Sequence, residues 1–281
     1  MRIQHSFLED KPTLYVVSTP IGNLGDMSKR ALEILEMVDL ILCEDTRVTA
    51  KLLNYFNLKN KMESYQIFNE HSKVEDLVSR MREGMNVALV SDAGTPLVND
   101  PGYLLVKEAI RQEINVVSIP GASALLTALV SSGLLPQPFT FIGFLPKKQG
   151  ELTKVLTKYI KREETLIIYE SPLRISKTLK DLFDVLGNRN LVLCRELTKK
   201  FETIYRGDLV SMMDEVFDTR GEYVILLEGD FVEVEQVLDA IALVNLYKEQ
   251  GLEEKEAFKK AAKDLGVHKS EVYKVYKISK T

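Results

Sequence analysis

The chain has 281 residues, which is long for one ordinary domain and about right for two. Its content of 45% hydrophobic and 28% charged residues is typical of a soluble globular protein. The 37 basic and 41 acidic residues give a net charge of −4. This charge excludes a protein that coats nucleic acid through an overall basic surface, but it is compatible with a local basic patch.

Strand-like and helix-like segments alternate through the first half of the chain. Apolar or β-branched runs predict strands at 14–18, 40–43, 64–68, 87–90 and 114–119. Apolar residues at helical spacing predict helices at 28–38, 46–56, 103–112 and 122–132, and another that opens with a capping box of Ser72 and Glu75 and ends at Gly84. This alternation predicts a parallel sheet covered on both faces.

The segment Leu134–Pro138 is the predicted domain boundary, because two prolines in three residues break both periodicities. After it, strands are predicted at 139–144, 165–169, 191–194 and 223–228, and helices at 151–160, 172–186 and 209–217. The stretch from Arg195 to Arg206 is interpreted as a charged connection. The predicted domains are therefore 12–135 and 136–230, both α/β, followed by an all-α tail at 231–281.

The tail is predicted to form three helices. Residues 255–281 hold eight lysines and three acidic residues, a local charge of +5. Ala262, Gly266 and Val272 have the spacing of a helix-turn-helix, which predicts a nucleic-acid-facing tail with Lys269 and Lys274 as candidate RNA contacts. A small capping bundle with a solvated lysine face is the alternative.

Several functional classes are disfavoured by what the sequence lacks. No apolar run approaches the roughly 18 residues needed to span a bilayer, and residues 1–11 have no apolar core, so we expect neither a membrane span nor a secretory signal. Cys43 and Cys194 each end an apolar run and are predicted to be buried, reduced thiols, which fits a cytoplasmic location. With only three scattered histidines, no zinc spacing can be written and no metal site is predicted.

Four loops follow predicted strands, at the edge where parallel sheets bind ligands. The loop 18–26 is glycine-rich but has neither dinucleotide-binding nor Walker spacing, so both ligand contact and simple turn formation remain open. The loop 43–47 places two carboxylates beside an arginine, or forms a helix N-cap at Asp45 with a solvated ion pair. The loop 91–102 is long enough to suggest function, and small residues at 120–124 allow a ligand to approach the backbone.

Together these loops resemble a known family. STPIGNLGD (18–26), CEDTR (43–47), SDAGTPLVNDPG (91–102) and PGASA (120–124) occur in the order typical of the tetrapyrrole methylase superfamily, and more narrowly of its ribosomal RNA small subunit methyltransferase I branch. FIGFLP (141–146) and YESPLRI (169–175) extend the resemblance. It implies two α/β domains with S-adenosylmethionine (SAM) in the cleft between them, usually in a homodimer.

The resemblance also implies a reaction and its residues. The reaction is methyl transfer to the ribose 2′-hydroxyl of a decoding-centre cytidine in 16S rRNA, free or within the small ribosomal subunit. SAM contacts are expected at Pro20, Ser91, Asp92, Gly94, Thr95, Val98, Ser123, Ala124 and Tyr169. Relatives often carry His-x-His-Asn where this chain has Gln66-Ile67-Phe68-Asn69, so a histidine base is not predicted there.

The roles of the charged residues remain open at the level of sequence. Glu44 or Asp45 would accept the ribose proton while Arg47 grips a phosphate, or the carboxylates would orient Arg47 or bind a metal. Arg174 and Arg195 are candidates for contact with the RNA backbone, or else form surface ion pairs. The competing functions are a tetrapyrrole methyltransferase and a ligand-sensing, nucleic-acid-binding regulator.

Overall fold

The computed structural model describes residues 3–8, 11–230 and 234–278. The described residues form two compact units. The first extends to Ile160 and includes Glu164–Glu228, and it contains both β-sheets. The second comprises Lys161–Glu163 and the described residues from Gly229 onward. Among the described residues, no helix combines the length and the apolar character that crossing a membrane requires.

The first sheet has five parallel strands in the order β3-β2-β4-β1-β5. The strands are β1 (Thr13–Val17), β2 (Leu40–Cys43), β3 (Met62–Ser64), β4 (Val87–Val90) and β5 (Asn115–Ile119). The connecting helices are α1 (Lys29–Met37), α2 (Thr46–Tyr55), α3 (Glu70–Arg82) and α4 (Tyr103–Arg111), and α5 (Ala124–Ser132) follows β5. Alternate strand residues face two cores, one formed with α1 and α2 and the other with α3 and α4. The predicted parallel sheet with two covered faces is thus confirmed.

The second sheet is mixed, with the order β6-β7-β10-β8-β9. The strands are β6 (Phe139–Phe144), β7 (Thr165–Glu170), β8 (Asn190–Arg195), β9 (Thr203–Asp208) and β10 (Tyr223–Leu227). Only β6 and β7 pair in parallel. Its helices, α6 (Gln149–Leu156), α7 (Ile175–Leu186) and α8 (Leu209–Met213), cover one face.

The other face of the second sheet is covered by α5, although α5 follows the last strand of the first sheet. Leu125, Ala128 and Leu129 of α5 pack against a cluster of buried strand residues, namely Ile167, Val192, Cys194, Val224 and Leu226. The helix that follows the first sheet therefore packs into the core of the second sheet.

Some local predictions were wrong. The strand predicted at 64–68 is β3 at Met62–Ser64, and it ends there because the Gln66 carbonyl closes a turn with the N–H groups of Asn69 and Glu70. Helix α3 begins at Glu70, and Ser72 donates its hydroxyl to the Asn69 carbonyl instead of capping the helix. The cause is a long-range contact, because the buried Glu70 carboxylate accepts hydrogen bonds from the backbone N–H groups of Gly102 and Leu104. The segment interpreted as a charged connection contains the edge strand β9, whose half-buried residues include no apolar run.

The second unit contains the three predicted helices, α9 (Val234–Glu249), α10 (Glu254–Asp264) and α11 (Lys269–Ile278). Ala262 and Val272 are buried in its core, and Gly266, in the turn between α10 and α11, has φ +68°. These are the positions that the helix-turn-helix spacing predicted. Residues 231–233 and 279–281 of the predicted tail lie outside the described residues.

Candidate functional site

All four loops are linked by hydrogen bonds at the carboxyl edge of the first sheet, the 43–47 loop through the Asp45 N–H, which donates to the Asp92 carboxylate at 3.1 Å. Thr19 and Gly94 exchange two backbone hydrogen bonds, with N–O distances of 2.8 and 3.1 Å. The Thr95 hydroxyl lies 3.0 Å from the Ser18 hydroxyl and donates to the Ala122 carbonyl at 3.2 Å. The loops that follow β1, β4 and β5 therefore form one connected surface.

Two glycines are required for this arrangement. A Cβ atom at Gly121 would lie 2.8 Å from the Ser18 Cβ, which is closer than two such atoms can approach. Gly94 has φ +82°, a backbone conformation that favours glycine. The small residues predicted to admit a ligand therefore also let the loops approach each other.

A cavity of about 350 Å³ lies between the loops of the first sheet and the carboxyl end of β7. Six of the nine predicted cofactor residues line it: Gly94, Thr95, Val98, Ser123, Ala124 and Tyr169. The other three do not line it, and Asp92 is exposed to solvent. Pro20 is buried, Ser91 donates its hydroxyl to the Gly94 carbonyl, and Asp92 accepts a hydrogen bond from the Asp45 N–H.

Several lining residues were not predicted as site residues: Ile21, Asn99, Asp100, Phe144, Glu170, Leu197 and Glu222. Asn99, Asp100, Phe144 and Glu170 lie within motifs that were recognised but not resolved residue by residue. Glu222 was missed for a topological reason. Strand β10 runs antiparallel to β7 and β8, so the residues that precede it reach the edge where β7 and β8 end.

Tyr169 connects the two sheets at the cavity wall. Its hydroxyl accepts a hydrogen bond from the backbone N–H of Leu125, in the first turn of α5, at 3.1 Å. Its ring forms edge contacts with Phe141 and Phe144. Burial raises the pKa of Tyr169 to about 12, so its hydroxyl stays protonated at neutral pH.

Asp45 and Arg47 form a closed pair at the start of α2. Asp45 is the helix N-cap and accepts from the Arg47 backbone N–H at 2.8 Å. The Arg47 guanidinium donates to both Asp45 oxygens, with Nη2 at 2.6 Å from Oδ2. These hydrogen bonds from Arg47 lower the pKa of Asp45 to about 2. The geometry matches the alternative N-cap and ion-pair interpretation for these two residues.

Glu44 differs from its neighbour. It is half-buried, and no described residue donates a hydrogen bond to its carboxylate. Burial raises its pKa, and the negative charges of Asp100, Asp92 and Asp45 raise it further. The pKa of Asp100, which lines the cavity, is raised by burial and then by Asp92, against a lowering hydrogen bond from Ser91. Glu44 is thus electrostatically coupled to the cavity wall.

The four predicted RNA-binding residues have different surroundings. Arg195 is buried, with its guanidinium on Asp218 at 2.9 Å and on the Arg220 carbonyl at 3.1 Å, so its charge is already paired. Arg174 is partly exposed and lies 3.5 Å from the buried Glu170 carboxylate. Lys269 and Lys274 are exposed in the second unit, and Lys274 approaches Glu163 at 3.7 Å.

Cys43 and Cys194 are free and buried, as predicted. Burial raises the pKa of Cys194 to about 11. Within residues 3–8, 11–230 and 234–278, no group of three or more His, Cys, Asp or Glu side chains is placed so that it would hold a metal ion.

Comparison with known proteins identifies the family. The family model for tetrapyrrole (corrin/porphyrin) methylases matches residues 13–212. Ribosomal RNA small subunit methyltransferase I of Halalkalibacterium halodurans is 43% identical over 98% of this chain and 99% of that protein, and the enzyme of the same name from Bacillus subtilis is 42% identical over 99% of both. The chain belongs to the tetrapyrrole methylase family, in the branch of ribosomal RNA small subunit methyltransferase I.

Solved structures agree with this tetrapyrrole methylase fold. The methyltransferase CobJ superposes with a TM-score of 0.59 at 19% identity, covering 78% of this chain and 95% of that one. Diphthine synthase superposes with a TM-score of 0.58 at 15% identity, covering 78% and 90%.

SAM is the cofactor of this tetrapyrrole methylase. The cavity residues fit such a molecule. Gly94, Ser123 and Ala124 leave the backbone accessible on one side, and the Ser123 side chain does not cap α5. Asp100 and Glu222 place carboxyl groups in the wall, of which Glu222 is paired with Lys199 Nζ at 2.9 Å, so Asp100 is the group that can complement a sulfonium cation.

Proposed function

We propose that this methyltransferase transfers a methyl group from SAM to the ribose 2′-hydroxyl of a cytidine in the decoding centre of 16S rRNA. The observation that carries the choice of substrate is the match, over nearly the full length of both chains, to relatives named ribosomal RNA small subunit methyltransferase I. Three of the four loops, those at 18–26, 91–102 and 120–124, contribute lining residues to one cavity, which supports the assignment. Glu44, Asp45 and Arg47 are not among the lining residues, and their loop is joined to the 91–102 loop by the hydrogen bond from the Asp45 N–H to Asp92.

The cavity between the two sheets is the proposed SAM site. When bound, SAM supplies an electrophilic methyl group on a sulfonium cation. Gly94, Thr95, Ser123 and Ala124 would hold it against the backbone, and Tyr169 would close the opposite wall. Because these loops are mutually hydrogen-bonded, the site is organised before the substrate arrives, and orientation supplies much of the rate acceleration.

Glu44 is the proposed general base, in preference to Asp45. A base is most effective when its pKa lies near the working pH. The pKa of Glu44 is raised by burial, whereas the Arg47 pair holds the pKa of Asp45 at about 2. The Glu44 carboxylate is also free of described hydrogen-bond donors, so it is available to accept the ribose proton.

Arg47 is the proposed phosphate contact at the rim. Its side chain is 85% exposed, and its hydrogen bonds to Asp45 use Nε and Nη2, which leaves Nη1 for a phosphate oxygen. Asp45 then orients Arg47 in place of acting on the ribose. Arg174, Lys269 and Lys274 are further proposed contacts with the RNA backbone.

The test is single-turnover methylation with labelled SAM and small ribosomal subunits at saturating concentration. Glu44→Gln should slow the reaction by about 10²–10⁴-fold, while SAM affinity measured by calorimetry stays near the parental value. Asp45→Asn should mainly raise the subunit concentration needed for half-maximal rate, because it releases Arg47. Glu75→Gln, at an exposed site on α3, is the matched control and should behave as the parent.

Three outcomes would contradict this assignment. A parental rate for Glu44→Gln at saturating subunits would show that Glu44 is not the base. Labelling of a porphyrinogen but not of small subunits by the parent would replace the proposed substrate with a tetrapyrrole. SAM binding without any methyl transfer, combined with nucleic-acid binding, would indicate a ligand-sensing regulator.

A further inference from the structure

A tight turn at residues 66–69 presents two large apolar side chains to solvent. The Gln66 carbonyl accepts hydrogen bonds from the backbone N–H groups of both Asn69 and Glu70, at 3.0 and 2.9 Å. The Asn69 side chain closes the turn by accepting from the Gln66 N–H at 2.8 Å. The two central residues, Ile67 and Phe68, are 68% and 85% exposed. A rigid backbone therefore holds an aromatic ring outside the core.

The residue types at this turn are unusual for its position. Central turn residues are ordinarily Gly, Pro, Asn, Asp or Ser, which solvent tolerates and which suit the backbone geometry. Isoleucine and phenylalanine have no such advantage here, and they contribute nothing to either core of the first sheet. An exposed apolar pair on a well-ordered turn is therefore a candidate contact surface.

The turn lies directly beside the proposed base. The Gln66 side chain donates to the Glu44 carbonyl at 2.9 Å, and the Tyr65 N–H donates to the Cys43 carbonyl at 2.8 Å. The turn follows β3, so it stands at the carboxyl edge of the parallel sheet together with the 43–47 loop. An RNA that brings a ribose to Glu44 would therefore approach the same edge of the sheet at which this turn stands.

We propose that Phe68 is a stacking platform for an unpaired RNA base next to the methylated nucleotide. This inference rests on the proposed function and adds to it a residue that binds an RNA base by stacking. RNA that is read as a single strand is recognised largely by stacking its splayed bases on aromatic side chains. A ring fixed by a hydrogen-bonded turn loses little conformational freedom when a base stacks on it.

A second copy of the chain fits this surface less well than a base. A stable protein interface buries about 800 Å² on each partner, and two side chains supply only a small part of that area. The turn contacts the 43–47 loop through the hydrogen bond from Gln66 to the Glu44 carbonyl, and that loop carries three charged residues, whereas the centre of a dimer interface is depleted in charge. One exposed ring matches the face of one base.

The experiment compares Phe68→Ala, Phe68→Leu and Phe68→Trp in the full-length protein. The substrate is the small ribosomal subunit, and the readouts are the rate at saturation, the half-saturating subunit concentration and SAM affinity. Loss of one stacked base should raise the half-saturating concentration by about 5- to 100-fold in the alanine variant. The leucine variant should resemble alanine, the tryptophan variant should lie near the parent, and SAM affinity should not change.

Tyr55→Ala is the matched control. Tyr55 is also an exposed aromatic residue of the first unit, at 62%, but it ends α2 at the opposite edge of the same sheet. Tyr55→Ala should leave the half-saturating subunit concentration unchanged. All variants should unfold at the parental temperature, because neither the Tyr55 ring nor the Phe68 ring is in a core.

Each contrary result has a distinct meaning. An alanine variant with parental subunit dependence overturns the stacking role and leaves the proposed function standing. A leucine variant equal to the parent shows apolar packing in place of stacking. An alanine variant that changes the oligomeric state assigns the surface to a second copy. A parent that does not methylate small subunits overturns the proposed function itself, and the platform with it.

Discussion

Tyr169→Phe removes a single oxygen atom from the cavity wall, and its cost follows from the contacts of that atom. The Tyr169 hydroxyl accepts the N–H of Leu125, one of the first-turn donors of α5 that have no partner within the helix. Ser123, the N-cap residue, makes no side-chain hydrogen bond that would replace it. The phenylalanine ring keeps its contacts with Phe141 and Phe144, so the contribution of apolar burial to the free energy of unfolding is nearly unchanged.

The variant should therefore lose about 1–3 kcal/mol in the free energy of unfolding, which is the cost of leaving one buried N–H unpaired. Urea unfolding followed by circular dichroism measures this directly. Tyr205→Phe is the control, because Tyr205 packs edge-on against Phe217 and no described residue hydrogen-bonds to its hydroxyl. It should change stability by less than about 0.5 kcal/mol.

The same substitution should weaken SAM binding, because Ser123 and Ala124 at the start of α5 line the cavity. Calorimetry on the two tyrosine variants separates the outcomes. If Tyr169→Phe and Tyr205→Phe were equally stable and bound SAM equally well, the hydrogen bond between β7 and α5 would have no role in forming the site.

Three shorter predictions follow from individual contacts. Glu70→Ala should cost about 1–3 kcal/mol because it strips the acceptor from two backbone N–H groups, and Glu70→Gln, which keeps one acceptor oxygen, should cost less; equal losses in urea unfolding would contradict this. Replacing Lys269 and Lys274 by glutamine should flatten the salt dependence of RNA binding by a slope of about 0.7–0.9 per lost phosphate contact, and an unchanged slope would show that neither touches RNA. Burial raises the pKa of Asp100, so the folded chain binds that proton more tightly than the unfolded chain and loses stability as the pH rises through the raised pKa. Asp100→Asn should therefore be more stable than the parent at pH 7, and this advantage should shrink as acid protonates Asp100; a constant difference across the pH range would refute the shift.

Four strands of the first sheet, β1, β2, β4 and β5, were predictable because each is a short, largely apolar run between turn signals. β3 was not, because its sequence Met-Glu-Ser is no apolar run, and the predicted strand at 64–68 overlaps it only at Ser64. β2, β4 and β6 were predicted at their observed bounds, since their residues are uniform in character. β9 was not, because it is an edge strand whose side chains are only half-buried, and its charged residues match those of a loop. The start of α3 was misplaced because a contact with Gly102, 32 residues away, fixes it.

The candidate site was predictable to the extent that it follows parallel strands. The loops at 91–102 and 120–124 supply cavity residues as expected, and Tyr169 was placed from its motif. Glu222 could not be predicted as a cavity residue from the sequence, because its position depends on the antiparallel direction of β10, which is set by the pairing of the whole sheet. The opposite pKa shifts of Glu44 and Asp45 could not be predicted from the sequence either. They depend on burial and on which of the two carboxylates pairs with Arg47.

The position of α5 has a consequence for how this chain can be divided. Cutting between α5 and β6 separates the two sheets in sequence, but it leaves Leu125 and Leu129 bare on one fragment and a strip of the second sheet bare on the other. Neither fragment then buries a complete core, so we expect each to be unstable or aggregation-prone when expressed alone. Their exposed faces are complementary, however, and mixing the two should restore a native-like heterodimer. The chain is thus suited to a split-protein reporter whose reassembly regenerates the cavity.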